Sequence, residues 1–364
     1  MVLGAQRTPL VATVLLAMVA TACDRARDVR RPDGSMWYRG QMVEGLARGQ
    51  WMQWHPNGQI EWEGRFADGK KQGQWKSYHD NGAVSVISHW RDDREDGTWS
   101  EFDANGKKRV EGHYVAGARD GLWTSWNAEG TPQLELQFKG GAAKGAAWEV
   151  DRASGVVTRG NYVANMREGL WVETYASGRK RMEIEYRAGE RTGTSRVWLE
   201  DGGMLSETHF AADERDGEAR EWWPSGRLKS QLHWTNGRLA GAAAEYREDG
   251  SRESEGTYTN GKKHGPWRSW HAGGTLESDA RFEQGELHGL VQRYHPGGGR
   301  EWRATYAHNA RHGEFASWHA DGMPASEGRM VSGSAQGPWR YWTEDGALDT
   351  ERSGHYENGV RTGH

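Results

Sequence analysis

Two sets of histidines recur at a fixed interval in this chain: His271, His295 and His319 lie 24 residues apart, and so do His264, His288 and His312. Imidazoles in register suggest a metal site. If 24 residues make one two-strand unit, however, equivalent positions stand two strands apart, ~9.6 Å. The ligands of one zinc must converge to about 2.0–2.1 Å from it. His264 with His271, or His288 with His295, could still meet across a hairpin, but the set as a whole reads as solvated turn histidines, with no metal and no cofactor. An acidic set recurs on the same interval: Glu63, Glu111, Glu135, Glu183, Glu207, Glu255 and Glu327, with Asp279. It is either a patterned interaction stripe or, as expected here, a solvated strand face that discourages aggregation. The patterns HExxH, GxSxG and CxxC, the phosphate-binding glycine loop and paired carboxylates are all absent. No catalytic residue is expected, and the chain reads as a non-enzyme.

The interval belongs to the whole chain. Thirteen glycines, from Gly49 and Gly73 to Gly313 and Gly337, follow one another every 24 residues without a slip. Four residues before each stands Gly, Asn or Asp, as in Gly45, Asp93, Asn165 and Gly333. These types enter the left-handed region at least cost, so a turn is expected there. Nine residues after the anchor comes a second turn glycine, as in Gly58, Gly82 and Gly106, with one slip to Gly155. The preceding residues give Asn-Gly and Asp-Gly pairs, which close tight hairpins. About eight residues separate the turns, too few for an ordinary helix and right for a strand. The fold is expected to be all-β: an elongated antiparallel meander of about 13 tandem 24-residue β-hairpin repeats.

Two columns are aromatic. The first runs Phe66, Trp90, Tyr114, Phe138, Tyr162, Tyr186, Phe210, Trp234, Tyr258, Phe282 and Tyr306, with Met42 and Met330 at its ends. The second, five residues after the anchor, includes Trp54, Tyr78, Phe102, Trp126, Trp198, Trp222 and Tyr246. Rings from neighbouring hairpins are expected to meet across strands and supply the burial, with Lys, Arg, Glu and Asp on the outside. Leu, Ile, Val and Phe make up only 46 of 364 residues, a composition that alone would suggest disorder. The repeat, 21 Trp, 12 Tyr and a net charge of −4 argue for a packed array instead.

Residues 1–22 read as a signal peptide. Arg7 precedes an apolar run from Leu10 to Ala22 that is too short to span a bilayer, and the only cysteine, Cys23, follows at once. Ala-Thr-Ala-Cys resembles the lipobox of bacterial lipoproteins, which would make Cys23 the acylated residue; a cysteine without a partner has no disulfide to form. Residues 23–35 read as a flexible tether and 36–364 as the array. The chain is then exported and lipid-anchored on the extracytoplasmic, periplasmic face of a bacterial membrane. Its acidic balance argues against nucleic acid as a partner.

Units such as NGKKHGPWRSWHAGGTLESDARFEQGELHG (260–289) and DGKKQGQWKSYHDNGAVSV (68–86) resemble the MORN-variant repeat, the repeat also attached to YwqK-family antitoxins. The resemblance covers residues 36–364. It implies a β-hairpin array that lends itself to scaffolding, lipid contact and partner binding. An antitoxin or immunity role, neutralising an exported effector, is one form of partner binding.

Two residues after the anchor, Trp51, Trp75, Trp99, Trp123, Trp171, Trp267 and Trp339 give way to Ala147, Ser195, Ala219, Ala243 and Val291. Residues 193–264 thus lose a large ring in successive units. One reading is a notch at Ser195, Ala219 and Ala243, with Trp222 and Trp223 beside it, that accepts a partner's side chains; the other is drift with local repacking. The functional expectation is an extracytoplasmic scaffold that binds an unidentified protein. The alternative is a cell-wall or glycan binder that stacks sugars on exposed aromatics.

Overall fold

The computed structural model describes residues 26–363. Every regular element among them is a β-strand, 33 in all. They fall into two bodies, one comprising residues up to 152 with 161–166 and the other 153–160 with 167 onward. Within each, consecutive strands pair antiparallel. In the first, Leu46–Trp54 pairs with Ile60–Ala67, and that strand with Lys70–Tyr78. In the second, Glu190–Trp198, Met204–Ala211 and Glu214–Trp222 repeat the register.

The two ends of a hairpin close differently. At one end two residues suffice: Asp68 and Gly69 have φ of 48° and 78°, the double left-handed signature of a type I′ turn. The first of the pair is left-handed even where it is Glu44, Ala116 or Gln284, so the strand twist overrides the residue's own preference. Pro56-Asn57-Gly58 closes the other end. The His55 N–H donates to the Gln59 carbonyl at 2.8 Å, the Gly58 N–H to the His55 carbonyl at 3.0 Å, and Gly58 has φ of 86°. This is a type I turn followed by a left-handed glycine. The Asn-Gly pairs expected to make the tight closure therefore serve the longer loop, where Asn57 Oδ1 accepts the Gln59 N–H at 3.0 Å.

Neighbouring units are also clasped at their turns. The Gly69 N–H donates to the Ala47 carbonyl at 2.9 Å, and the bond recurs in unit after unit. Where the position holds Asp93, Asn165, Asp213 or Asn309, its side chain accepts a second backbone N–H, from Lys71, Ala143, Arg191 and Leu287 respectively. Those four positions carry Asp or Asn because the side chain does work that a glycine cannot.

Each anchor glycine sits in a bulge. Gly73 has φ of 67°, and the pairing jumps so that Gly73, Gln74 and Trp75 together oppose Gly64 alone. That bulge lays the Trp75 indole on Gly64: a Cβ on Gly64 would fall inside the ring, far closer than the ~3.5–4.0 Å that carbons keep. Gly40, Gly112, Gly160, Gly256 and Gly328 seat Trp51, Trp123, Trp171, Trp267 and Trp339 in the same way. Trp123, the largest fully buried side chain, is 1% exposed.

Rings of the first aromatic column meet the seated indoles, which belong to neither column, edge-on: Phe66 to Trp75 at 5.0 Å, Tyr114 to Trp123 at 5.1 Å and Tyr258 to Trp267 at 5.1 Å. The second column lies on the opposite face. Among the described residues its rings do not meet one another, because equivalent positions stand two strands apart, ~9.6 Å, and strand alternation sends position +5 away from the indoles at position +2. Nor are all the cations outside. Lys71 Nζ stands 4.3 Å from the Trp75 and Trp90 ring centres, Arg119 4.5 Å from Trp123, Arg167 4.3 Å from Trp171 and Lys263 4.0 Å from Trp267. A chain this poor in aliphatics covers its indoles with cations and their methylene stems. Burial depresses the Lys71 ammonium against the pull of Asp93 and Glu95. Burial likewise raises the Glu95 carboxyl despite Lys71 and Arg119.

Both ends depart from the expected boundaries. Ala26–Arg30, inside the segment read as a flexible tether, is a strand paired with Met36–Val43. Arg39 holds Asp28 through Nε at 2.6 Å, so the array starts before Met36. The signal was present, since Gly34 and Gly40 precede Gly58 and Gly64 by 24. Near the other end, Tyr356 faces Gly337 two residues later than the interval requires, because the segment after Trp342 is longer and is pinned by the Ser353 hydroxyl accepting the Tyr341 N–H at 3.0 Å.

Candidate functional site

Ser195, Ala219 and Ala243 stand on the aromatic face in one cross-strand row, Ser195 opposite Thr208, Thr208 opposite Ala219, Ala219 opposite Leu232 and Leu232 opposite Ala243. The row lacks indoles, and the side chains facing the small residues have grown: Ile184, Thr208 and Leu232 occupy the positions that are glycine under a Trp. Ser195, Ala219 and Ala243 are all buried. Trp222 and Trp223 do not join them. Trp222 belongs to the second aromatic column on the other face, and Trp223 lies at the loop, its Nε1–H donating to the Tyr246 carbonyl at 3.1 Å.

Trp99 is the informative exception. It faces Ser88, which carries a Cβ, and it has left the seat: it is half-buried, tilted 5.6 Å from Trp123, while Ser88 Oγ accepts from Trp90 Nε1 at 2.8 Å.

The opposite face carries the second aromatic column, half-buried throughout, including Trp198, Tyr246, Trp270 and Trp318. Cations lie over these rings: Lys180 at 5.0 Å from Trp198, Arg252 at 5.5 Å from Trp270 and Arg300 at 5.8 Å from Trp318. The periodic glutamates share this face and are an ion-pair ladder more than a solvated stripe. Arg196 spans Glu183 at 3.1 Å and Glu207 at 2.7 Å, and Arg220 holds Glu218 at 2.6 Å. Partial burial alone would raise the Glu183 carboxyl, but hydrogen bonds from Lys180 and Arg196 hold it below its ordinary value. The hydrogen bonds it donates to Glu207 and Glu183 raise the Arg196 guanidinium. At Ala244 the ladder is interrupted by a depression of about 520 Å³ lined by Glu218, Gln231, Glu255, Pro266 and Arg268 among others.

The histidine column serves as a clasp. His55, His79, His271, His295 and His319 each place Nε2 between 2.8 and 3.4 Å from the carbonyl oxygen 23 residues on. A carbonyl only accepts, so Nε2 carries the proton. Tyr175 and Trp223 make the same bond with O–H and N–H, and Arg31 and Arg247 with guanidinium. Four donor chemistries at one position identify a structural requirement for a long side-chain donor. No group of three or more His, Cys, Asp or Glu among the described residues is arranged to hold a metal. The other histidine set serves differently: the His288 ring lies 6.0 Å from that of His308, outside the set, and His312 Nδ1 accepts the Ser332 N–H at 3.5 Å. Cys23 and the expected signal peptide lie outside the described residues.

No curated protein matches the chain. Among solved structures, a crystal structure of TcdB2-TccC3-TEV is 10% identical over 87% of this chain and 21% of its own, with a TM-score of 0.15. A Photorhabdus luminescens Tc holotoxin pore is 11% identical over 89% and 21%, also at 0.15. The chain thus spans about a fifth of the length of those chains. The family model described as MORN repeat variant matches residues 71–92, 95–116 and 215–236. With units in both bodies matched and one register recurring from unit to unit up to Gly337, these three matches support a MORN-variant repeat protein.

Proposed function

We propose that the protein is a non-enzymatic scaffold, held by a lipid on Cys23 at the extracytoplasmic face of a bacterial membrane, that binds another protein. The observation that carries this reading is the row of half-buried rings on the ladder face, Trp198, Trp222, Tyr246, Trp270, Tyr294 and Trp318, interleaved with Arg and Lys. Trp, Tyr and Arg are the residues enriched in protein interfaces and at their energetic centres. A regular array presents such residues along an extended surface without assembling a cleft. Cations already lie over several of these ring faces, where a sugar would have to stack, which favours a protein over a glycan.

The test is a photo-crosslinking amino acid placed at Trp222 and at Trp270 in the native envelope, followed by mass spectrometry. The expected result is one recurring protein adduct, lost from the membrane fraction when Cys23→Ala removes the anchor. Retention by wall polymer with elution by free sugar would replace the reading with the glycan one. Turnover of an envelope substrate by purified protein would end it.

A further inference from the structure

We propose that the depression at Ala244 is a receptor for an arginine side chain of a partner protein, an inference that rests on the protein-binding reading and specifies one contact within it. The argument comes from the ladder. Glu183, Arg196, Glu207, Arg220, Gln231, Ala244, Glu255, Arg268 and Asp279 stand directly opposite one another in succession across the strands. Acid and base alternate along the row except at its centre. Position 244 is equivalent, in the 24-residue interval, to the guanidinium-bearing positions 196, 220 and 268. There the chain supplies a methyl group, and the space of the missing side chain is the depression.

Its lining suits a guanidinium. Glu218 and Glu255 contribute two carboxylates, against the His233 imidazole and one guanidinium, Arg268, which is turned to Asp279 at 3.5 Å. Glu218 is paired with Arg220 and Glu255 with Arg252, yet a carboxylate has about four lone-pair sites, so both keep acceptor capacity. Gln231 spends its amide N–H on Glu218. Its carbonyl oxygen has no partner among the described residues. Ala242, Ala244 and Pro266 add apolar surface for a methylene stem. Acceptors on two walls with an apolar floor match a planar, forked donor better than the point charge of lysine. The same column also holds alanine at 316, and there the site is closed: Ala316 is only 9% exposed, Glu327 is held by Arg340 at 3.1 Å, and Arg303 leans on Trp318 at 6.0 Å.

The probe is N-acetyl-arginine methylamide, titrated at low salt into the full chain while backbone amide resonances of residues 242–256 are followed, with the citrulline analogue as an uncharged control of the same shape. Saturable shifts confined to the depression are expected, with the citrulline analogue at least about ten-fold weaker. Ala244→Arg supplies the guanidinium internally, as 196, 220 and 268 already do, and is expected to weaken binding at least about ten-fold with the melting temperature kept. Glu255→Gln is expected to weaken it as well. Equal binding of citrulline, unchanged binding to Ala244→Arg, or no saturable shift would each overturn the proposal. Such a failure would leave protein capture at Trp222 and Trp270 standing. Absence of any protein adduct would sink the scaffold reading whatever the titration gives.

Discussion

Trp75 lies on Gly64 so closely that a Cβ on the glycine would enter the indole. Where the glycine position holds a side chain, the tryptophan position shrinks or its ring leaves: Leu232 faces Ala243, Thr208 faces Ala219, and Trp99 has moved off Ser88. The two positions divide one volume, as a close-packed interior requires.

The first prediction follows from that division. Gly64→Leu overpacks the seat and is expected to cost at least about 1–3 kcal/mol, and Trp75→Ala about 3–5 kcal/mol. The double variant Gly64→Leu with Trp75→Ala copies the Leu232–Ala243 pair, so its loss is expected to be smaller than the sum by more than ~1 kcal/mol. Urea denaturation of the single and double variants measures this. Strict additivity would show that the seat does not couple the two residues.

The second prediction concerns the row without indoles. Ala219→Trp alone meets the Thr208 side chain and is expected to destabilise. Combined with Thr208→Gly it restores a seat, so the fold is kept while any trough on the aromatic face is filled. Because the proposed binding face is the opposite one, the adduct at Trp222 and Trp270 is expected to be retained in the double variant at unchanged melting temperature. Its loss would assign binding to the trough.

A third prediction separates the clasp from a metal. His79→Ala leaves the Phe102 carbonyl, now bonded at 2.9 Å, without its donor and is expected to cost about 0.5–1.5 kcal/mol. His79→Arg is expected to recover most of it, as Arg247 does naturally at the equivalent position. Added zinc is expected to leave the melting temperature where it was. A zinc-dependent rise abolished by His79→Ala would overturn the clasp.

The hairpin fold was legible because turns and strands leave local marks: Gly69 and Gly58 announce chain reversals, and the interval from Gly49 to Gly337 announces the repeat. The faces were harder to read. Trp51 and Trp54 are three apart, and only the pairing of Trp51 with Gly64 and of Trp54 with Ile60 shows which side each takes. The glycine column at Gly64, Gly112 and Gly256 was available as a complement to Trp75, Trp123 and Trp267. Its meaning appears only when a bulge brings position 64 under position 75. The histidine column suggested metal chemistry for a related reason: its partner is a backbone carbonyl, which has no sequence signature, and the clue lay in the tolerance of Tyr175, Trp223 and Arg247 at the same position.

The last prediction is a pH dependence set by Tyr78. Its hydroxyl donates to Glu63 Oε1 at 2.7 Å. Burial first, then the hydrogen bond and charge of Glu63, push the phenol from 10.0 up to about 12. The folded state thus holds this proton more tightly than the unfolded chain. Its contribution to stability is complete below pH 10.0, falls as the unfolded phenol ionises, and is gone once the pH passes about 12. Tyr78→Phe is expected to lower stability modestly at neutral pH, because the hydroxyl bond is lost at a partly exposed site, and to flatten the alkaline decline. Tyr38, Tyr258 and Tyr341 are shifted upward as well, so a residual decline remains and the quantity to measure is the difference between the two melting-temperature profiles from neutral pH to pH 12. Glu63→Gln keeps a hydrogen-bond acceptor but removes the charge, and is expected to bring the Tyr78 phenolate absorbance transition down towards the value that burial and a neutral acceptor sustain. Identical alkaline profiles for wild type and Tyr78→Phe would show that the Tyr78–Glu63 bond does not link folding to protonation.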